Sequence, residues 1–210
     1  MPALEAFPAV PEGVDLGALY APPAERIQKA VLDRLVDVHE EYLRVATFFC
    51  LATASDDGLD ASPRGGPPGF VRVLDPQTVA FADWPGNNRI ASMRNLQQDE
   101  RVGMLFLFPG LDVFLRINGI ARVSAWPELL ARLQENGKAP KTATVVRVNE
   151  VLFHCGKAGH RARLWEADSL IDRASVSTPG QMLARLTGLS HEETVQLDTH
   201  YAHAVKHDLY

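Results

Sequence analysis

Apolar runs rich in β-formers recur along this chain at hairpin distance, and they limit its fold more than any other feature. "TFFCLATA" (47–54) leads through the tight-turn signal "SDDG" into "LDASP" (59–63), which predicts a hairpin. Further runs are "GFVRVL" (69–74), "TVAFA" (78–82), "VGMLFLF" (102–108), "VFLRINGIARV" (113–123) and "TATVVRVNEVLFHC" (142–155). Their separations are of hairpin length or one helix, so the sheet is expected to be largely antiparallel. Six or more such strands with a few inserted helices predict a mainly β protein with flanking helices, closed as a barrel because closure removes exposed edges.

Helical patterning frames and interrupts the strands. Pro2, Pro8, Pro11, Pro22 and Pro23 mark residues 1–23 as an extended arm. From Ala24, the residues Ile27, Val31, Leu35, Val38, Tyr42 and Val45 recur at helical spacing opposite a charged face, which predicts one amphipathic helix leading into the barrel. Short helices are expected around Ile90, Met93 and Leu96, and from Pro127 to a stop at Gly137. The reading is therefore an arm (1–23), a barrel with its leading helix (24–165) and a helical extension (166–210).

Composition narrows the function. The 210 residues carry a formal net charge of −5, which argues against a nucleic-acid partner. No apolar run is long enough to span a bilayer, and "MPALEAFPAVPEG" lacks the basic and apolar regions of a signal peptide. Two distant cysteines, Cys50 and Cys155, form no disulfide framework, so a cytoplasmic protein with no membrane partner is expected. The spacing of His200, His203 and His207 is compatible with a metal, but carboxylate support is scattered and no metal site is expected; His39, among helical carboxylates, reads as a surface residue.

The chain contains no GxGxxG after a strand, no GxxxxGK[ST], no GxSxG and no HExxH. What remains are clusters of cations beside chain-turning residues. "SPRGGPPGF" (62–70) surrounds Arg64 with glycines and prolines, and "ADWPGNNRIASMRN" (82–95) sets Arg89 at a predicted helix start, where unpaired N–H groups favour a phosphate. In "RINGIAR", Arg116, Asn118 and Arg122 share one strand face, with Leu115, Ile117 and Ile120 assigned mainly to the other. "HCGKAGHRARLW" (154–165) adds Lys157, His160, Arg161 and Arg163, a density of cations suited to an anionic ligand or to a basic surface helix.

These stretches, taken in order with "RVGMLFLFPG", resemble the pyridoxamine 5'-phosphate oxidase-like flavoproteins, over about 47–165. The resemblance implies an FMN-binding split β-barrel that forms a homodimer, with the cofactor at the subunit interface. Carried over by position, Ser62, Pro63, Arg64 and Gly65 would line the flavin, with Val71 and Arg72 following on the next strand. Asp83, Asn87, Asn88 and Arg89 would hold ring edge and phosphate, Arg116 and Asn118 would come from the opposite subunit, and Arg163 and Trp165 would close the site. The implied activity is oxidoreduction of a small-molecule substrate through flavin N5, with Lys157 and Arg161 as contacts for an anionic substrate. Relatives with this barrel use the deazaflavin F420 or haem in place of FMN, and a non-catalytic binding or sensing role is the alternative. "PRGGPPG" and the ending "HYAHAVKHDLY" depart from the oxidases' Arg-to-Lys strand and basic C-terminal segment, so oxidation of vitamin B6 is not expected.

Overall fold

Alternation of large apolar and polar side chains builds one antiparallel sheet of seven strands in the order β2-β1-β5-β6-β7-β4-β3. The strands are β1 (Phe48–Ser55), β2 (Gly58–Gly65), β3 (Arg72–Asp75), β4 (Thr78–Asp83), β5 (Arg101–Leu107), β6 (Val113–Ser124) and β7 (Thr142–Cys155). The helices are α1 (Glu25–Lys29), α2 (Asp37–Val45), α3 (Ala91–Leu96), α4 (Pro127–Arg132), α5 (Lys157–Ala162), α6 (Pro179–Thr187) and α7 (His191–His207). The computed structural model describes residues 13–86 and 88–210, so Asn87 and most of the proline-rich arm lie outside the described residues.

The sheet curls around an aromatic core. Phe49 of β1 meets Phe81 of β4 edge-on at 5.0 Å although three strands separate β1 from β4 in the sheet. Phe106 and Phe70 flank Phe49 at 4.9 and 5.7 Å, and Leu51, Met104, Leu115, Ile117, Val146 and Val151 fill the same interior. No ladder joins β2 to β3 among the described residues, so the ring is split where they form the sheet's two edges. On the outer face of the β4–β7 pair, Ala80, Ala82 and Ala143 make a second small cluster with Leu129 and Leu133, against which Trp84 packs.

The chain forms two units, residues 1–31 and 32–210. In the first, Asp15 caps a 3₁₀ turn over Leu16–Leu19, and Lys29 pairs with Glu25 along α1. The single leading helix expected from Ala24 is two helices. Leu32 instead exchanges backbone hydrogen bonds with Val151 of β7 at 3.0 and 2.8 Å, and Val36 is extended before α2 starts. Sheet pairing thus takes the backbone groups that a continuous helix would need. His39 is also not at the surface: it is 3% exposed and stacks on Phe153 at 5.2 Å, and its Nδ1 accepts the Val36 N–H at 3.1 Å, closing the start of α2. Burial lowers its pKa, and the accepted bond puts its proton on Nε2.

Residues 166–210 contain α6 and α7. Asp198 of α7 binds the start of α6, accepting from Thr178 Oγ1 at 2.6 Å and from the Gly180 N–H at 2.7 Å. No helix among the described residues is long and apolar enough to cross a membrane.

Candidate functional site

Strand alternation puts Asp60, Ser62 and Arg64 on one face of β2, opposite Thr53, Leu51 and Phe49 of β1. Helix α3 covers this mouth of the barrel. Its buried Ser92 Oγ donates to Asp60 Oδ2 at 2.6 Å and accepts from the Arg64 guanidinium at 3.1 Å, while Asn95 Nδ2 donates to Thr53 Oγ1 at 3.1 Å. Arg64 also donates to Ser62 Oγ at 2.7 Å and to the Pro63 carbonyl at 2.9 Å. Burial lowers the Arg64 pKa and the fields of Asp83 and Asp60 oppose that shift; burial raises the Asp83 pKa against the field of Arg64.

On the solvent side of α3 a cleft of about 420 Å³ opens, lined by Asp57, Asn88, Arg89, Ala91, Arg94, Asn95 and Gln98. Asn88 and Ile90 both take left-handed backbone conformations, at φ 58° and 47°, and Ile90 occupies the cap position of α3. Arg89 therefore precedes the helix rather than sitting in its first turn. Two guanidiniums and three carboxamides make a wall of hydrogen-bond donors, the chemistry that a phosphate or carboxylate calls for.

The glycines of "SPRGGPPGF" serve packing within the loop. A Cβ on Gly66 would stand 2.7 Å from the Phe70 ring, and Gly69 sits at φ +77°. Val71 is buried in the core, and Arg72 begins β3 beside a separate recess of about 250 Å³ that it shares with Glu40, Arg44 and Gly69. Neither borders the Arg89 cleft.

On the outer face of β6, Arg116 and Asn118 both donate to Glu150 Oε1 of β7, at 2.8 and 2.9 Å, and the buried Arg116 Nε has no partner. Ile120 lies on this same face, contrary to its expected place opposite Arg116 and Asn118, because alternation along β6 runs unbroken from Leu115 to Ala121. A bulge at Asn149 of β7 sets the register beside it.

Beyond β7, Lys157 and Arg161 stand exposed on α5. His160 Nε2 meets Asp112 Oδ2 at 2.8 Å, Arg163 pairs with Glu166 at 2.7 Å and with Asp168, and Trp165 Nε1 donates to the Leu111 carbonyl at 3.1 Å. The structure thus brings Asn88 and Arg89 to one cleft, with Arg64 and Asp83 behind its helix, and holds Arg116, Asn118, Arg163 and Trp165 in other contacts. Sequence reasoning missed Asp57, Asp60, Ser92, Arg94, Asn95 and Gln98. Helical spacing of 91, 94, 95 and 98 carries part of that signal, as does alternation from Asp60 to Arg64. Among the described residues no group of three His, Cys, Asp or Glu side chains is placed to hold a metal ion.

The chain is similar to solved structures that span more than half of it. HupZ of Group A Streptococcus is 15% identical, with 56% of this chain and 92% of that one covered, at a TM-score of 0.45. General Stress Protein 26 from Bacillus anthracis is 10% identical (56% and 94% covered, TM-score 0.42), and the FAD binding protein from Mycobacterium smegmatis is 15% identical (59% and 97%, TM-score 0.41). No curated protein matches. The family model for pyridoxamine 5'-phosphate oxidase matches residues 35–155, more than half of the chain and every strand of the sheet. A split antiparallel barrel with that match identifies the chain as a member of the pyridoxamine 5'-phosphate oxidase family.

Proposed function

We propose that this chain is an FMN-binding oxidoreductase acting on a small molecule, as a homodimer whose two copies together enclose the flavin. The observation that carries this reading is the donor-lined cleft at α3. Arg89 and Arg94 supply charge, and Asn88, Asn95 and Gln98 supply neutral donors, a set that fits the acceptor oxygens of a phosphomonoester. Its 420 Å³ has room for a phosphate and part of a polyol chain, and Asp57 at its edge can accept from hydroxyl groups. When bound, FMN supplies hydride acceptance and donation at N5.

The protein's own part is binding, orientation and electrostatics. Arg89 and Arg94 hold the phosphate, and Arg64 contributes positive charge from behind α3. Arg116 and Asn118 lie on the outer sheet face, which suits a contribution across a dimer interface. Lys157 and Arg161 on α5 are the proposed contacts for an anionic substrate.

The visible spectrum of the purified protein, followed by heat release and identification of the bound group, tests the reading. Flavin bands with FMN released are expected. A Soret band would transfer the site to haem, and a colourless protein that ignores added FMN would overturn the flavin assignment. Sedimentation as a monomer at micromolar concentration would overturn the two-chain site.

A further inference from the structure

The flavin reading takes only the charge of Arg64 from the chain of contacts beneath α3, although that chain contains the buried Ser92. Ser92 is 2% exposed, and its hydroxyl is fully used: it donates to Asp60 and accepts from Arg64. Arg64 is fixed from three sides, by Ser62, the Pro63 carbonyl and Ser92. Among the described residues β2 is an edge strand whose ladder pairs only with β1, so α3 is the second support that β2 has. Conversely, α3 has only six residues, too few to be stable through its own hydrogen bonds, and it depends on what it packs against. α3 displays Arg94 and Asn95 to the cleft, Gln98 joins them from the turn just past its end, and Ser92 and Leu96 are buried.

We infer that Asp60 and Ser92 are positioning residues for the cleft. Through the Asp60–Ser92–Arg64 chain, β2 and α3 form one mechanical piece, and this fixes the Arg94 side of the cleft before any anion arrives. The reason is electrostatic as well as geometric. A buried hydroxyl between a carboxylate and a guanidinium makes two charge-assisted hydrogen bonds, and removing it leaves two half-buried charged groups each short of a partner. Preorganisation of this kind lowers the ordering cost of binding, so loosening α3 should appear as lost affinity although neither Asp60 nor Ser92 lines the cleft. The identity of the anion rests on the flavin reading, whereas the joining of β2 to α3 does not.

The experiment has two arms, on the full-length protein. Backbone hydrogen exchange is followed in wild type, Ser92→Ala and Asp60→Asn, the second of which keeps the side-chain volume in case the first disturbs the fold. Both variants should speed exchange in 58–65 and 91–98 together, while the Leu129–Leu133 cluster keeps its protection. In the second arm, FMN affinity is titrated by flavin fluorescence. Ser92→Ala should weaken it about ten-fold in the wild-type background, and by less than about two-fold when Arg94→Ala is already present, because a positioning residue has little left to position. Faster exchange in only one of the two segments, or in neither, would overturn the inference. So would full additivity of Ser92→Ala and Arg94→Ala. If wild type binds no FMN, the flavin reading falls and the exchange arm alone decides whether β2 and α3 are joined.

Discussion

The segments around α3 and α5 carry the same ingredients, arginines beside turns and a short helix, yet the structure treats them differently. At α3, Arg89 and Arg94 line an open cleft together with Asp57 and three carboxamides. At α5, His160 is matched by Asp112, and Arg163 by Glu166 and Asp168. Trp165 is tied to Leu111, and a Cβ on Gly156 would run into the Asp112 backbone. The α5 segment is thus built as a clasp on the β5–β6 connection, with Lys157 and Arg161 exposed beside it. A basic stretch is informative about ligands only after its acidic neighbours have been counted.

The sharpest test of that contrast is Arg94→Ala, expected to weaken FMN binding by about 1.5–3 kcal/mol with little change in melting temperature, as read by titration and calorimetry. An unchanged dissociation constant would remove α3's privileged position. Gly156→Ala should do the reverse: forced against Asp112, it should destabilise the fold by about 1–3 kcal/mol in denaturant melts and leave FMN affinity within two-fold.

Acidification probes the α5 side by another route. His39 stacks on Phe153, and Tyr42 meets Phe153 and Phe108, at the two chain segments that lead into the clasp. Because burial depresses the His39 pKa, its contribution to stability is complete above pH 6.5 and is lost as pH falls from there through the folded-state pKa. His154, lowered by burial and by Arg116, acts in the same window with the same sign. Stability should therefore drop on acidification below pH 6.5, and His39→Gln should flatten part of that slope in pH-resolved melts. The smallest effect is expected for Arg163→Ala: its exposed, solvent-screened ion pairs should leave the melting temperature nearly unchanged, and FMN affinity should not move.

Each strand could be read from the chain because runs such as "VGMLFLF" and "TATVVRVNEVLFHC" are short, rich in β-branched or aromatic residues and set apart by turn or helix signals, all local properties. The break between α1 and α2 could not, because it depends on Leu32 meeting Val151 from the far end of the chain. His39 was misread for the same reason, since Phe153 buries it. In the candidate site, Arg89 and Asn88 were legible from turn chemistry next to a helix. The Asp60–Ser92–Arg64 chain was not, since its members meet only after β2 pairs with β1 and α3 folds across them. The acidic partners of Arg163, three and five residues onward, are a local signal that the sequence carries.

The split in the ring has a consequence for solubility. An unpaired strand edge is a template on which another chain can add a strand, and β2 is such an edge. Pro63 lies within it, and Pro67 and Pro68 follow at its end. Proline has no N–H to offer an incoming strand, so the punctuation of "SPRGGPPGF" also acts as a gatekeeper against sheet-to-sheet aggregation, whatever the neighbouring cleft holds.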